Sequence, residues 1–162
     1  MLEKINKKVF IYGIVFGFIS FLVSCDRDEK QIEKNNVDNF NKNSSKFDNS
    51  IAYIASKYFT KNENVKVILS DKNYQKNNIY YDSSLKTILK NTNIRLVNIY
   101  NNNPCQENKF PYELFFEINS TSSRQYYYVY RFCEYNYLNI DESLNYKVIP
   151  LNKNWKMDIE KN

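Results

Sequence analysis

Two stretches in the second half of the chain alternate between apolar and polar residues, and a period of two belongs to a strand with one face buried. Tyr112 to Asn119 places Tyr112, Leu114, Phe116 and Ile118 on one side and Glu113 and Glu117 on the other. Gln125 to Leu138 does the same, with Tyr126, Tyr128, Tyr130 and Phe132 on one face and Tyr127, Val129, Arg131 and Cys133 on the other. A slip of one residue would exchange the faces, so the pattern fixes a register. Pairing Asn119 with Gln125 sets Phe116 opposite Tyr128 and Leu114 opposite Tyr130, and it sets Glu113 opposite Arg131. The same register brings Cys133 opposite Pro111. The segment Asn103 to Lys109 would then fold back and carry Cys105 to Cys133.

The remaining elements are read around this pair. Phe47, Ile51, Ile54, Ala55 and Tyr58 recur at helical spacing behind Asp48, a plausible N-cap, and predict a helix to about Phe59. Val65 to Ser70 and Ile79 to Tyr81 read as short strands on either side of a polar loop, Asp71 to Asn78. Asp82 caps a second helix with Leu85, Ile88 and Leu89 on one side, closed by Asn91-Thr92-Asn93. Ile94 to Tyr100 is a further strand. A last hairpin joins Tyr146–Leu151 to Trp155–Glu160 through Asn152-Lys153-Asn154. Ile149, Leu151, Trp155, Met157 and Ile159 share its apolar face, and Lys156, Asp158 and Glu160 are expected in solvent. The fold class is therefore α+β: one or two helices on one face of a curved antiparallel sheet of about five to six strands. This order, with its closing Trp-Lys-Met strand, loosely resembles NTF2-like or cystatin-like domains, which often hold a ligand between helix and sheet.

Composition removes several chemistries. There is no histidine, so Ser-His-Asp and Cys-His nucleophiles and His-ligated metals are excluded. The two glycines, Gly13 and Gly17, both lie in the apolar run near the start read below as a signal peptide, so the rest of the chain has none and glycine-cradled phosphate sites are excluded as well. Net charge is only +5, without a basic stripe, and no nucleic-acid partner is expected. No cofactor and no metal site are expected. Glu113 and Glu117, four apart on a strand, lie ~13 Å from each other at 3.3 Å per residue. That is wider than the ~5 to 9.5 Å of a glycosidase pair. An enzyme is the least favoured class, since a carboxylate-dependent hydrolase would have to recruit Glu134, Asp141 or Glu142.

The start of the chain supplies an address. Lys4, Lys7 and Lys8 precede an apolar run, Val9 to Val23, of signal-peptide length and short of the ~20 residues that cross a bilayer. The run ends in Leu22-Val23-Ser24-Cys25, which resembles the lipobox of bacterial lipoproteins. The resemblance implies cleavage after residue 24, a diacylglyceryl thioether and palmitate-type acylation at Cys25, and anchorage to the membrane through that N-terminal lipid. Asp26, Arg27, Asp28 and Glu29 follow. Such a cluster either retains a lipoprotein in the inner membrane, marks it for the cell surface, or merely solvates a tether; the outer membrane is favoured, with the periplasmic or surface face undecided. Three segments result: a signal peptide 1–24, a lipidated cysteine and flexible tether 25–46, and a single α+β domain 47–162. The tether has Ile32, Val37 and Phe40 as its sizeable apolar residues, with a short helix over Ile32 to Phe40 as the alternative.

In an oxidising envelope the two remaining cysteines, Cys105 and Cys133, read as a disulfide, with two buried thiols as the rival. The aromatic content is high, with 15 Tyr and 11 Phe. Tyr126, Tyr128 and Tyr130 either form a binding surface for a protein, a small apolar ligand or a sugar, or simply pack a core. The expected function is a membrane-anchored lipoprotein carrying a small non-catalytic binding or interaction domain. The alternative is an inhibitor or immunity-type lipoprotein that neutralises a toxin or lytic enzyme.

Overall fold

The computed structural model describes residues 28–61, 63–70, 78–101, 112–118, 121, 123–133 and 145–161. Two compact units are present, one up to Asn41 and one from Lys42 onward.

In the first unit the described residues are helical. Helix α1 covers 28–42, where the sequence predicts a flexible tether through Lys46. The short helix over Ile32 to Phe40 is the alternative that forms, and it is longer than anticipated. Glu, Lys and Gln are good helix formers, and Gln31 Nε2 donates to Asn35 Oδ1 at 2.8 Å across one turn. Ile32, Val37 and Phe40 also fall among the less exposed positions of a helical period.

The second unit is the α+β domain. Helix α2, Ser44–Tyr58, begins four residues before Asp48. Its N-cap is Asn43 rather than Asp48, because Phe47 is wholly buried and is needed inside the helix. A 3-10 turn, Phe59–Lys61, follows it. Helix α3 is Ser83–Ile88, capped by Asp82 as the sequence predicts.

The strands are β1 Val65–Ile68, β2 Ile79–Tyr81, β3 Leu96–Asn101, β4 Tyr112–Glu117, β5 Arg124–Arg131, β6 Tyr146–Pro150 and β7 Trp155–Lys161. They form one seven-stranded sheet in the order β2-β1-β3-β4-β5-β7-β6, one strand more than the expected five to six. All neighbours are antiparallel except β1 and β2. The β4–β5 register is the predicted one, with Phe116 opposite Tyr128, Leu114 opposite Tyr130 and Glu113 opposite Arg131. Asparagine supplies the left-handed backbone at Asn78, Asn91 and Asn93, with φ of 62°, 68° and 62°.

Helix α2 packs on one face of the sheet, here called inner. Phe47 inserts edge-on among Phe116, Tyr128 and Trp155, with ring centroids at 6.0, 5.1 and 5.6 Å. Cross-strand pairing puts Val67, Val97, Phe116, Tyr128 and Met157 in one row and Val65, Ile99, Leu114, Tyr130 and Trp155 in the next. These rows are the core.

Candidate binding face

Tyr126 and Tyr128 are 0% exposed, so they do not offer the surface proposed for Tyr126, Tyr128 and Tyr130. The reason is parity: their positions share the inner face with Phe116 and Trp155, and α2 covers that face. Tyr130 is half-buried and packs on Trp155 and Phe132, at 4.9 and 5.0 Å. Burial, and then the charge of Asp48, pushes its phenol up.

The residues between them point the other way. Pairing places Glu117, Tyr127 and Asp158 in one row of the outer face, Phe115, Val129 and Lys156 in a second, and Tyr100, Glu113 and Arg131 in a third. Tyr100, Phe115 and Tyr127 form an aromatic line across three strands. Their rings meet edge to face, Tyr100 to Phe115 at 5.2 Å and 89°, and Phe115 to Tyr127 at 6.1 Å and 79°. Tyr100, 38% exposed, is the large apolar side chain that stands out among the described residues. Tyr127 donates its hydroxyl to Gln125 Oε1 at 2.5 Å. Its phenol is pushed up to about 12, first by burial and then by the charges of Glu160 and Glu117 on neighbouring strands.

Beside this line lies a buried ion pair that the sequence assigned to solvent. Lys156 and Asp158 are 7% and 2% exposed, and Lys156 Nζ sits 2.8 Å from Asp158 Oδ2. The same ammonium donates to the Tyr146 hydroxyl at 3.0 Å. Burial pushes the Asp158 carboxyl up, and the Lys156 charge opposes it without cancelling it. Burial pushes the Tyr146 phenol up too, helped by Asp158. Asp158 Oδ1 is buried without a hydrogen-bond partner. Glu113, 4% exposed, accepts from Arg131 Nε, the pair that the register implied. Glu117 remains half-exposed on the rim of the face.

A second polar centre joins the helices. Asp82, 3% exposed, accepts from the backbone N–H of Ser84 and Leu85, both at 2.9 Å. It also accepts from Tyr58 at 2.7 Å, from Tyr53 at 3.0 Å and from Lys57 Nζ at 2.8 Å. Burial alone would raise this carboxyl; the Lys57 ammonium, the Leu85 amide and the two phenols outweigh it and hold the group at about 2. Every donor here comes from α2 or the first turn of α3, so the centre is a clasp between helices.

Of the other site residues, Cys25 and Cys105 lie outside the described residues, as do Glu134, Asp141 and Glu142. Cys133 lies two residues past β5, and the bridge expected from it to Cys105 involves a residue outside the described ones. Among the described residues no cluster of acidic or cysteine side chains is arranged to hold a metal ion. No described helix is long and apolar enough to cross a membrane. Sequence reasoning missed Tyr100, Phe115, Tyr127, Lys156 and Asp158. The signal for the aromatic line was present, since Tyr127 alternates with Tyr126 and Tyr128 and must face away from them. No protein-family model, curated protein or solved structure matches this chain.

Proposed function

We propose that this chain is a bacterial lipoprotein of the cell envelope, anchored in the outer membrane through lipidated Cys25, whose α+β domain binds a partner without catalysing a reaction. The observation that carries the anchor is Leu22-Val23-Ser24-Cys25 at the end of an apolar run with a basic start. Two or more acyl chains hold such a protein firmly, at ~0.8 kcal/mol per buried methylene. The binding role is supported by the aromatic line Tyr100–Phe115–Tyr127, which is less buried than the inner core and has carboxylates on its flank. The even pair of cysteines in the domain, Cys105 and Cys133, supports a bridge between them in the oxidising compartment that the anchor implies.

Labelled palmitate should enter the wild-type protein and not Cys25→Ala, which should accumulate as a longer precursor. An unlabelled wild type that leaves the membrane on washing refutes the anchor. Non-reducing peptide mapping should recover Cys105 joined to Cys133. Native mass spectrometry of the lipidated protein taken gently from its envelope tests the binding role. A retained small molecule favours a carrier or sensor, and a retained toxin or lytic enzyme favours the inhibitor reading.

A further inference from the structure

We propose that the outer face from Tyr100 to Glu160 docks a basic protein segment, whose apolar side chains lie on the aromatic line and whose cationic side chain is received between Glu117 and Glu160. This rests on the binding-module reading and names the partner's chemistry.

Glu117 is the cross-strand neighbour of Tyr127 on β4, and Glu160 faces Gln125 on β7, so the two carboxylates stand on opposite sides of the β5 strand that carries Tyr127. The other acidic groups of the face are committed, Glu113 to Arg131 and Asp158 to Lys156. Glu117 and Glu160 make no ion pair among the described residues. Among the described strand residues of this face, the remaining cation is Lys66, on β1 and three strands away from Tyr127. The charges of Glu160 and Glu117 both act on Tyr127, adding to the burial that is the first cause of its raised phenol. A guanidinium or ammonium placed over that ring would meet two carboxylates and the negative face of an aromatic system.

Other occupants fit less well. Nucleic acid and anionic lipid would be repelled by the same carboxylates. A metal ion finds no cluster among the described residues. A saccharide prefers a flat stacking platform, and here consecutive rings stand at 89° and 79° to each other. An extended peptide suits the geometry, because its alternate side chains can seat between edge-to-face rings while its charge reaches the rim.

The full chain in zwitterionic detergent is titrated with a short fluorescent peptide alternating arginine and phenylalanine, with its citrulline counterpart, and with chitohexaose. The arginine peptide should saturate at one per chain and weaken as salt rises. The double variant Glu117→Gln, Glu160→Gln should bind about tenfold more weakly, the worth of two rim ion pairs. Tyr127→Leu should weaken both the arginine and the citrulline peptide, and the thermal midpoint of the carboxylate double variant should stay at the wild-type value. Equal binding of the citrulline peptide, an unchanged affinity in the double variant, tighter binding of the saccharide, or no saturable binding each overturns the site. If the peptide fails while a partner still co-purifies from the envelope, this face is wrong and the binding-module reading stands. If nothing co-purifies either, both fail.

Discussion

Removing the charge of Asp82 isolates what the helix clasp is worth. Asp82→Asn keeps an oxygen that can cap α3 and accept from Tyr58, but it removes the carboxylate that Lys57, Tyr58 and Tyr53 address. The folded carboxyl lies at about 2, against 3.8 for an unperturbed aspartate. At 1.36 kcal/mol per unit, that difference is about 2 kcal/mol at neutral pH. Little discount for solvent applies, since Asp82 is 3% exposed, although Lys57 at the outer end is 48% exposed and contributes weakly. Asp82→Ala also loses the cap, worth about 1 kcal/mol, and strands the buried Tyr58 hydroxyl, so its cost should reach about 3 to 4 kcal/mol. Urea titrations followed by Trp155 fluorescence measure both. Because the folded pKa is depressed, the stabilisation is complete above the unfolded value and disappears as pH falls through the folded one. The gap between wild type and Asp82→Asn should be flat above about pH 5 and close between about pH 4 and 2. A gap under about 0.5 kcal/mol at pH 7 would show that the hydrogen bonds are made at no net advantage over water, and one that persists undiminished at pH 2 would show that the cost does not come from the ionised carboxylate.

Phe47→Ala should cost about 3 to 5 kcal/mol in the same assay, since it empties the space between α2 and the rings of Phe116, Tyr128 and Trp155; a loss below about 2 kcal/mol would mean that the helix resettles. Lys156→Met alone should cost about 3 kcal/mol by leaving the Asp158 carboxylate buried without its cation, whereas Lys156→Met with Asp158→Leu should return to within about 1 kcal/mol of wild type. Burial already raises Asp158, so its folded form favours the proton and ionisation costs stability as pH rises; Lys156→Met should therefore be relatively more stable at pH 5 than at pH 8. A double-mutant cycle on Glu113→Gln and Arg131→Gln should give a coupling of about 1 to 3 kcal/mol, and additivity would refute the pair as a register lock.

Legibility followed the physics of each position. The β4–β5 register could be read because a charge pair and an apolar alternation on opposite faces agree on a single alignment. The Asp82 cap could be read because its signal is local, a carboxylate two and three residues before the amides it accepts from. Helix α1 stood only as the alternative because its polar composition resembles a solvated spacer, and its support comes from turn-by-turn propensity rather than from a strong apolar stripe. The start of α2 was missed because Asn43 caps it without a side-chain bond, so the better capping residue, Asp48, drew the boundary. Lys156 and Asp158 misled for another reason. Alternation tells which residues share a face and cannot tell whether the second face is also covered, and here β7 is buried on both sides from Trp155 to Ile159. The same blindness made Tyr126 and Tyr128 look available, although both are buried and Phe47 of α2 packs on Tyr128.

The place of β7 in the sheet carries a consequence for how the domain assembles. It is the seventh strand in the sequence, yet it lies inside the sheet and separates β5 from β6. Strand β6 pairs with β7 and with no other strand of the sheet. A nascent chain interrupted before Trp155 therefore presents β5 with an open edge and β6 with no template, and Phe47 lacks the indole it packs against. Assembly cannot proceed strand by strand from the N-terminal side; it must wait for β7 and then close both edges together. Such late, long-range closure is slow, and until it happens the chain displays an adhesive strand edge.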